Sequence, residues 1–399
     1  MNPPAKPLGP TKAAPRAPTP AQIPAGVVSL PDHEVAARAR LDANAWAYFS
    51  GGAAEEITLR ANQAAWQQPL LQPRVLQNLQ GGHSRVALLG RTLAHPIFLA
   101  PVAYQCLAHP DGEVASACAA SAQEAGMVLS TQSSVLLETV AQAVGSDPER
   151  GPLWFQLYMT HDRSFTRELV QRAERSGYEA LVVTVDAPVS GARDRERRAG
   201  FCLPAGVSAV NLAELVPAPS TMLKPGQSAL FDGLLRTSIT WAEIEWLLSQ
   251  TRLPVILKGV LHPDDARHAV ALGVAGLIVS NHGGRTLDTV VSTAVVLPRI
   301  RQALGGDVPL LVDGGIRRGT DVLKAIALGA NAVLIGRPYL YGLANAGALG
   351  VAHVLRLLRD ELEIAMALCG CATLAQVTPA CLFDTTALRG KFSRKMLCK

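Results

Sequence analysis

The sequence predicts an α/β fold of the (β/α)8 type, a TIM barrel with an N-terminal helical extension and a long lid loop after the fourth strand. Three observations carry this. Eight short apolar runs recur from residue 95 onward, helix-period segments separate them, and polar residues follow almost every run at one end. The runs are Ile97–Ala100, Met127–Ser130, Leu153–Leu157, Ala180–Val185, Pro254–Lys258, Gly276–Ser280, Pro309–Asp313 and Ala332–Gly336. Each is short and mostly Val, Ile and Leu, as strands buried on both faces require. The segments Asp162–Ser176, Asp264–Leu272 and Thr320–Leu328 have helical spacing, and Gly126, Gly177, Gly273 and Gly329 provide left-handed stops before the next strand. A doubly wound sheet would carry a Gly-rich first turn, and no G-x-G-x-x-G follows the first run.

Three regions fall outside the repeat. Residues 1–31 hold nine of the 27 prolines with an Ala/Lys bias, a composition that cannot bury a core, so a disordered tail is expected before a barrel domain spanning 32–399. The tail has no apolar stretch of the secretory kind and little of the Arg and Ser of a transit peptide. Residues 32–94 contain helical signals and are expected to cap the bottom of the barrel. Residues 187–240 are too long for a simple connection, and their place after a barrel strand favours a lid.

Composition narrows the function. Hydrophobic residues make up 49% and charged residues 17%, which excludes disorder throughout the chain, and no run approaches the roughly 20 apolar residues of a membrane span. The net charge of +5 includes Lys6, Lys12 and Arg16 in the tail, and no basic stripe with interleaved aromatics argues for nucleic acid. Seven cysteines without a C-x-x-C read as reduced thiols of a cytoplasmic protein with no metal site.

The chemistry lies at the strand ends, where this architecture builds its active sites. A single polar residue there, such as Ser130 or Thr184, is by itself only the chain reaching water. Lys258 follows Val255-Ile256-Leu257 directly, and His282 stands between an apolar run and Gly283-Gly284-Arg285. Gly314-Gly315 and Gly336, with Arg317 and Arg337 nearby, fit a phosphate at the last two strands. Arg193 and Arg285 fit a carboxylate, because the guanidinium matches it bidentately. His282 is suited to take a proton with Asp186 orienting its ring, and Lys258 supplies positive charge where negative charge develops. Together they point to flavin mononucleotide (FMN) acting on a hydroxy acid.

Four segments then resemble the FMN-dependent 2-hydroxy acid oxidase and dehydrogenase family, which includes glycolate, L-lactate and hydroxymandelate oxidases. They are Leu181–Asp186, Leu257-Lys258-Gly259, Ser280-Asn281-His282-Gly283-Gly284-Arg285 and Asp313–Asp321, and the likeness runs from about residue 32 to 372. The resemblance implies His282 as base, Asp186 as its partner and Lys258 beside the flavin pyrimidine ring. It implies Tyr48, Tyr158, Arg193 and Arg285 as substrate ligands. Flavin contacts are implied for Pro101, Val102, Ala103, Ser130, Gln156, Thr184 and Ser280, with Asp313 on the ribityl chain. Gly314, Gly315, Arg317, Gly336 and Arg337 are implied around the phosphate, and a homotetramer or homo-octamer is the implied assembly.

Within that family Gln132 stands where glycolate oxidases carry Trp and lactate oxidases Tyr, and Ala103 leaves room on the α-carbon. The segment Val189–Arg195 is similar to lactate oxidases, whereas Ala100–Gln105 also resembles hydroxymandelate oxidases. The expected substrate is L-lactate or another short (S)-2-hydroxy acid, with mandelate or glycolate as alternatives. O2 is the expected acceptor rather than a membrane or haem partner, since the lid has no sustained apolar run and no haem domain precedes the barrel. A flavin barrel of another reaction class, or a barrel without turnover, would lack the combination of His282, Arg285 and Arg193.

Overall fold

In a computed structural model, which describes residues 22–218 and 223–383, all eight runs become strands of one closed parallel barrel. They are β1 Ile97–Leu99, β2 Gly126–Ser130, β3 Leu153–Leu157, β4 Leu181–Thr184, β5 Val255–Val260, β6 Gly276–Val279, β7 Leu310–Val312 and β8 Ala332–Ile335. They follow chain order around the barrel, and β8 closes it on β1 through Val333↔Ile97 and Ile335↔Leu99.

The two-residue period of the strands sorts each run into two layers. Ile97, Leu99, Met127, Leu129, Phe155, Val183, Leu257, Val279 and Val312 face outward and pack with helix residues such as Leu169, Leu297, Leu323 and Leu358. Phe98, Val128, Trp154, Val182, Ile256, Ile278, Leu311 and Leu334 form a separate interior cluster. Two residues further along the same inward face stand Ser130, Gln156, Thr184, Lys258, Ser280 and Asp313. The barrel is therefore plugged by apolar side chains below and lined by polar ones above.

The N-terminal extension does two jobs rather than the one expected. Its hairpin, Val86–Leu88 paired with Arg91–Leu93, does cap the bottom, because Leu88 and Leu93 join the interior cluster. Its helices Ala43–Ser50 and Ile57–Gln67 instead reach the opposite rim. Asp288, in the loop after β6, accepts from the first backbone N–H groups of the second helix, Ile57 and Thr58, at 3.2 and 2.8 Å. Trp66 Nε1 donates to Gly314 O at 2.7 Å. Periodicity cannot say which end of a barrel a preceding helix will reach.

The expected tail boundary moves inward. Residues 1–21 lie outside the described residues, but Leu30 opens a helix, Leu30–Arg40, whose Ser29 side chain accepts from Asp32 N, and Leu30 is buried in the core. Residues 384–399 also lie outside. The long connection after β4 carries a short helix, Asp194–Arg198, and later a helix, Trp241–Leu248, that leads into β5.

Candidate active site at the C-terminal ends of the strands

The upper inward layer and the loops above it enclose one cavity of about 550 Å³. Its walls include every residue named above for substrate or cofactor except Ser280, which lies just beneath, and they include His282 and Lys258. Asp186 stands behind His282. Among the described residues no group of three or more potential metal ligands occurs.

His282 sits in a strained turn. Its φ is +56°, and Gly283 and Gly284 follow at +62° and +73°, so a non-glycine residue is held in the left-handed region next to two that adopt it freely. The surroundings over-determine this turn. Asn281 and Asn62 exchange two amide hydrogen bonds of 2.8 Å each, and Asn281 Oδ1 also accepts from Gly284 N at 3.2 Å. The imidazole Nδ1 lies 2.9 Å from Asp186 Oδ1, which leaves Nε2 for the cavity side. Burial and the nearby Lys258 charge lower the His282 pKa, and the pull of Asp186 in the other direction does not cancel them. Asp186 remains ionised, because His282 and Lys258 outweigh the burial that would raise it. The resting imidazole is neutral at pH 7 and able to accept a proton.

Lys258 is a buried cation with a built counter-ion. Its Nζ donates to Ser280 Oγ at 3.0 Å and lies 3.4 Å from Asp313 Oδ2. Burial works against the ammonium, yet Asp313 and Asp186 raise its pKa above the ordinary lysine value. Gly259, the next residue, makes the close approach to Asp186 possible, since an added Cβ would stand 2.5 Å from Asp186 Cβ.

Two guanidinium groups form the opposite wall. Arg285 Nη1 donates to Tyr48 O and Gly51 O at 2.5 and 3.0 Å, and its carbon lies 4.9 Å above the Tyr48 ring. Burial and the adjacent Arg193 pull the Arg285 pKa down, the signature of two cations held together. Burial pushes the Tyr48 phenol up to about 12 and raises that of Tyr158, so both remain protonated donors at neutral pH.

The remaining residues test whether a flavin fits. Gln156 Nε2 and Asp313 Oδ1 are buried without a protein partner, a donor and an acceptor on the cavity wall. An isoalloxazine ring presents carbonyl oxygens and a ribityl chain presents hydroxyls, which these atoms match. Gly314 and Gly315 have φ of +92° and +85°, and a Cβ on Gly315 would meet Asn62 O at 2.2 Å. The chain can take that course only without side chains, and such turns direct backbone N–H groups at anions. The residues present fit FMN. Pro101–Ala103, Ser130, Gln156, Thr184, Lys258, Ser280 and Asp313 would hold the ring and ribityl chain, with Gly314, Gly315, Arg317 and Gly336 around the phosphate.

Arg337 adds a feature that residue spacing did not reveal. Its side chain donates to Phe49 O, Gly51 O and Gly283 O at 3.0, 2.7 and 3.0 Å, and burial lowers its pKa to about 10. The guanidinium thus ties the Tyr48 segment to the His282 turn. Sequence reasoning also passed over Glu196 and Phe201. Phe201 stacks on Tyr48 with ring centroids 4.7 Å apart, and Glu196 Oε1 lies 3.0 Å from Arg285 Nη2. The one available signal was an acidic residue three positions after Arg193, in a run of alternating charge.

Fold and site together define a barrel enzyme whose cavity fits a flavin and is lined by His282, Arg193 and Arg285. The chain belongs to the FMN-dependent dehydrogenase family, which it matches over residues 37–384. It is 47% identical to an L-lactate oxidase of Alicycliphilus denitrificans, over 90% of this chain and 96% of that protein. Glycolate oxidase 1 of Zea mays is 41% identical, over 88% of this chain and 94% of the relative. The crystal structure of mandelate oxidase with (S)-2-phenylpropionate superimposes with a TM-score of 0.79 at 42% identity, covering 89% of this chain and 98% of that one. The protein is an oxidoreductase of the FMN-dependent 2-hydroxy acid oxidase type. No described helix is long and apolar enough to cross a membrane.

Proposed function

We propose that this chain oxidises L-lactate to the 2-oxo acid and passes the electrons to O2, giving H2O2. The carrying observation is the convergence of an Asp186-bonded His282 and a paired guanidinium wall on one cavity. Lactate is favoured among 2-hydroxy acids because the lactate oxidases among the relatives reach 46–49% identity, against 40–43% for the plant glycolate and hydroxy acid oxidases.

Bound FMN supplies the two-electron acceptor. Arg285 and Arg193 hold the substrate carboxylate, and the Tyr48 and Tyr158 hydroxyls donate to substrate oxygens. His282 Nε2 takes a proton from the carbinol centre, from the α-carbon or from the hydroxyl according to the route, and Asp186 stabilises the imidazolium that forms. Lys258 presents its charge where electron density accumulates, in a buried setting that strengthens it. The domain arrangement proposed is a dispensable tail before one catalytic barrel, working in the cytoplasm as a homotetramer or homo-octamer. Loss of activity on deleting residues 1–21, or a monomeric mass by light scattering, would count against it.

The deciding experiment mixes the FMN-loaded protein anaerobically with L-lactate, follows the visible flavin band, and then admits air. Bleaching and rapid recolouring is the expected result. Bleaching without rapid recolouring replaces O2 with another acceptor, and no bleaching by lactate removes it as substrate. Mandelate is the second compound to add, because the mandelate oxidase fold matches throughout the barrel.

A further inference from the structure

The carboxylate wall already contains a carboxylate. Glu196 Oε1 lies 3.0 Å from Arg285 Nη2 and 3.5 Å from Arg193 Nη1, bridging the two groups that the proposed reading assigns to the substrate. It comes from the short helix Asp194–Arg198 of the long connection, not from a barrel strand, and it borders the cavity.

Glu196 is not needed to hold Arg285 in place. Two carbonyls, Tyr48 O and Gly51 O, fix its Nη1, and the Tyr48 ring lies beneath its plane. Arg193 is under-satisfied, with its Nε buried and unpartnered and its Nη1 at the long limit of contact with Glu196. What Glu196 contributes is charge. Two guanidinium groups against one carboxylate leave the clamp itself with a single net positive charge, enough to balance one substrate carboxylate. A second carboxylate on the ligand would find no further charge in the clamp and would lie near Glu196, and in a partly buried site that repulsion is not screened away.

We infer that Glu196 is the built-in counter-ion of the clamp, a specificity-determining residue that favours monocarboxylate 2-hydroxy acids over dicarboxylates. This rests on the reading of Arg193 and Arg285 as the substrate clamp. Replacing Glu196 by an isosteric neutral side chain raises the net charge of the clamp to two. Monoanions then bind more tightly, and dianions gain more.

The test uses the FMN-loaded enzyme without turnover, titrating pyruvate as monoanion and oxalate as dianion against the flavin absorbance. Glu196→Gln is expected to tighten pyruvate about threefold and oxalate about tenfold or more. Glu196→Asp retains the charge and is expected to keep the oxalate-to-pyruvate ratio within about twofold. A purely structural role would weaken both ligands alike in both variants, leaving the ratio unchanged, and that outcome overturns the inference. Arg285→Lys separates the two layers of the argument. If it leaves pyruvate binding unchanged, the clamp reading itself is wrong; if it weakens pyruvate while Glu196→Gln leaves the ratio unmoved, only the role of Glu196 falls.

Discussion

Asp186 and His282 meet through a single hydrogen bond, Oδ1 to Nδ1 at 2.9 Å, although 96 residues separate them in the chain. The second oxygen, Asp186 Oδ2, is buried without a partner. The carboxylate is thus committed to the imidazole, and it arrives from β4 while the histidine arrives from β6. The pair orients the ring and leaves it neutral at rest.

This arrangement sets a pH dependence. The His282 pKa is lowered, so the base form persists to a lower pH than for a free imidazole. The value of kcat/KM is therefore expected to hold through neutrality and to fall only as the pH drops below the ordinary histidine value of 6.5, through the lowered one. Stopped-flow flavin reduction across pH checks this, and an acid limb at or above 6.5 would contradict it. His282→Ala should keep the yellow cofactor and lose about 10²–10⁴-fold in reduction rate.

Lys258 and Asp313 form a buried ion pair, with side chains only 5% and 9% exposed. Breaking such a pair from one side leaves an uncompensated charge. Lys258→Met is expected to destabilise the protein by about 3–5 kcal/mol. Adding Asp313→Asn should recover much of the melting temperature without restoring flavin reduction. Recovery of neither or of both would show that the pair does not divide its role in this way.

Gly315 tests the flavin cradle. Its φ of +85° and the 2.2 Å approach of Asn62 O to an added Cβ both oppose a side chain. Gly315→Ala must move the loop or the helix Ile57–Gln67, so the purified variant is expected to hold FMN at least about tenfold more weakly, by the energy of a displaced backbone. Equilibrium dialysis of the flavin gives the number, and wild-type affinity would dismiss the cradle.

Arg337 links three carbonyls of two separate segments. Arg337→Lys cannot reproduce a planar fork of donors. The expected effect is a raised KM for the hydroxy acid, through a looser Tyr48 segment, with FMN content preserved. Loss of FMN with an unchanged KM would instead put the guanidinium at the phosphate.

Much of this site was legible because strand and site share one pattern. An apolar run buried on both faces ends where the barrel opens, so the residue that continues the inward alternation faces the ligand. Lys258 is marked as the charged residue directly after an apolar run and His282 by the glycines after it, whereas Gln156, Thr184 and Asp313 take their flavin roles from the family resemblance. Tyr48 was different. From spacing alone it reads as a helix-end aromatic, and only the family resemblance assigns it to the substrate. Glu196 and Phe201 lie in a connection with no period to read, and the carbonyl partners of Arg337 come from two segments far away in the chain.

The sequence by itself determined the eight strands, their order, the polar rim and the flavin chemistry, because each depends on local alternation and on residue type at a strand end. Tertiary structure alone decided which rim the helices of residues 43–67 cover, which guanidinium binds carbonyls and which faces the cavity, and that Glu196 stands between two arginines. Those outcomes depend on contacts between segments tens to hundreds of residues apart. They are settled by the burial of Tyr48, Trp66 and Asn62 against the closed barrel, and no local pattern encodes such a choice.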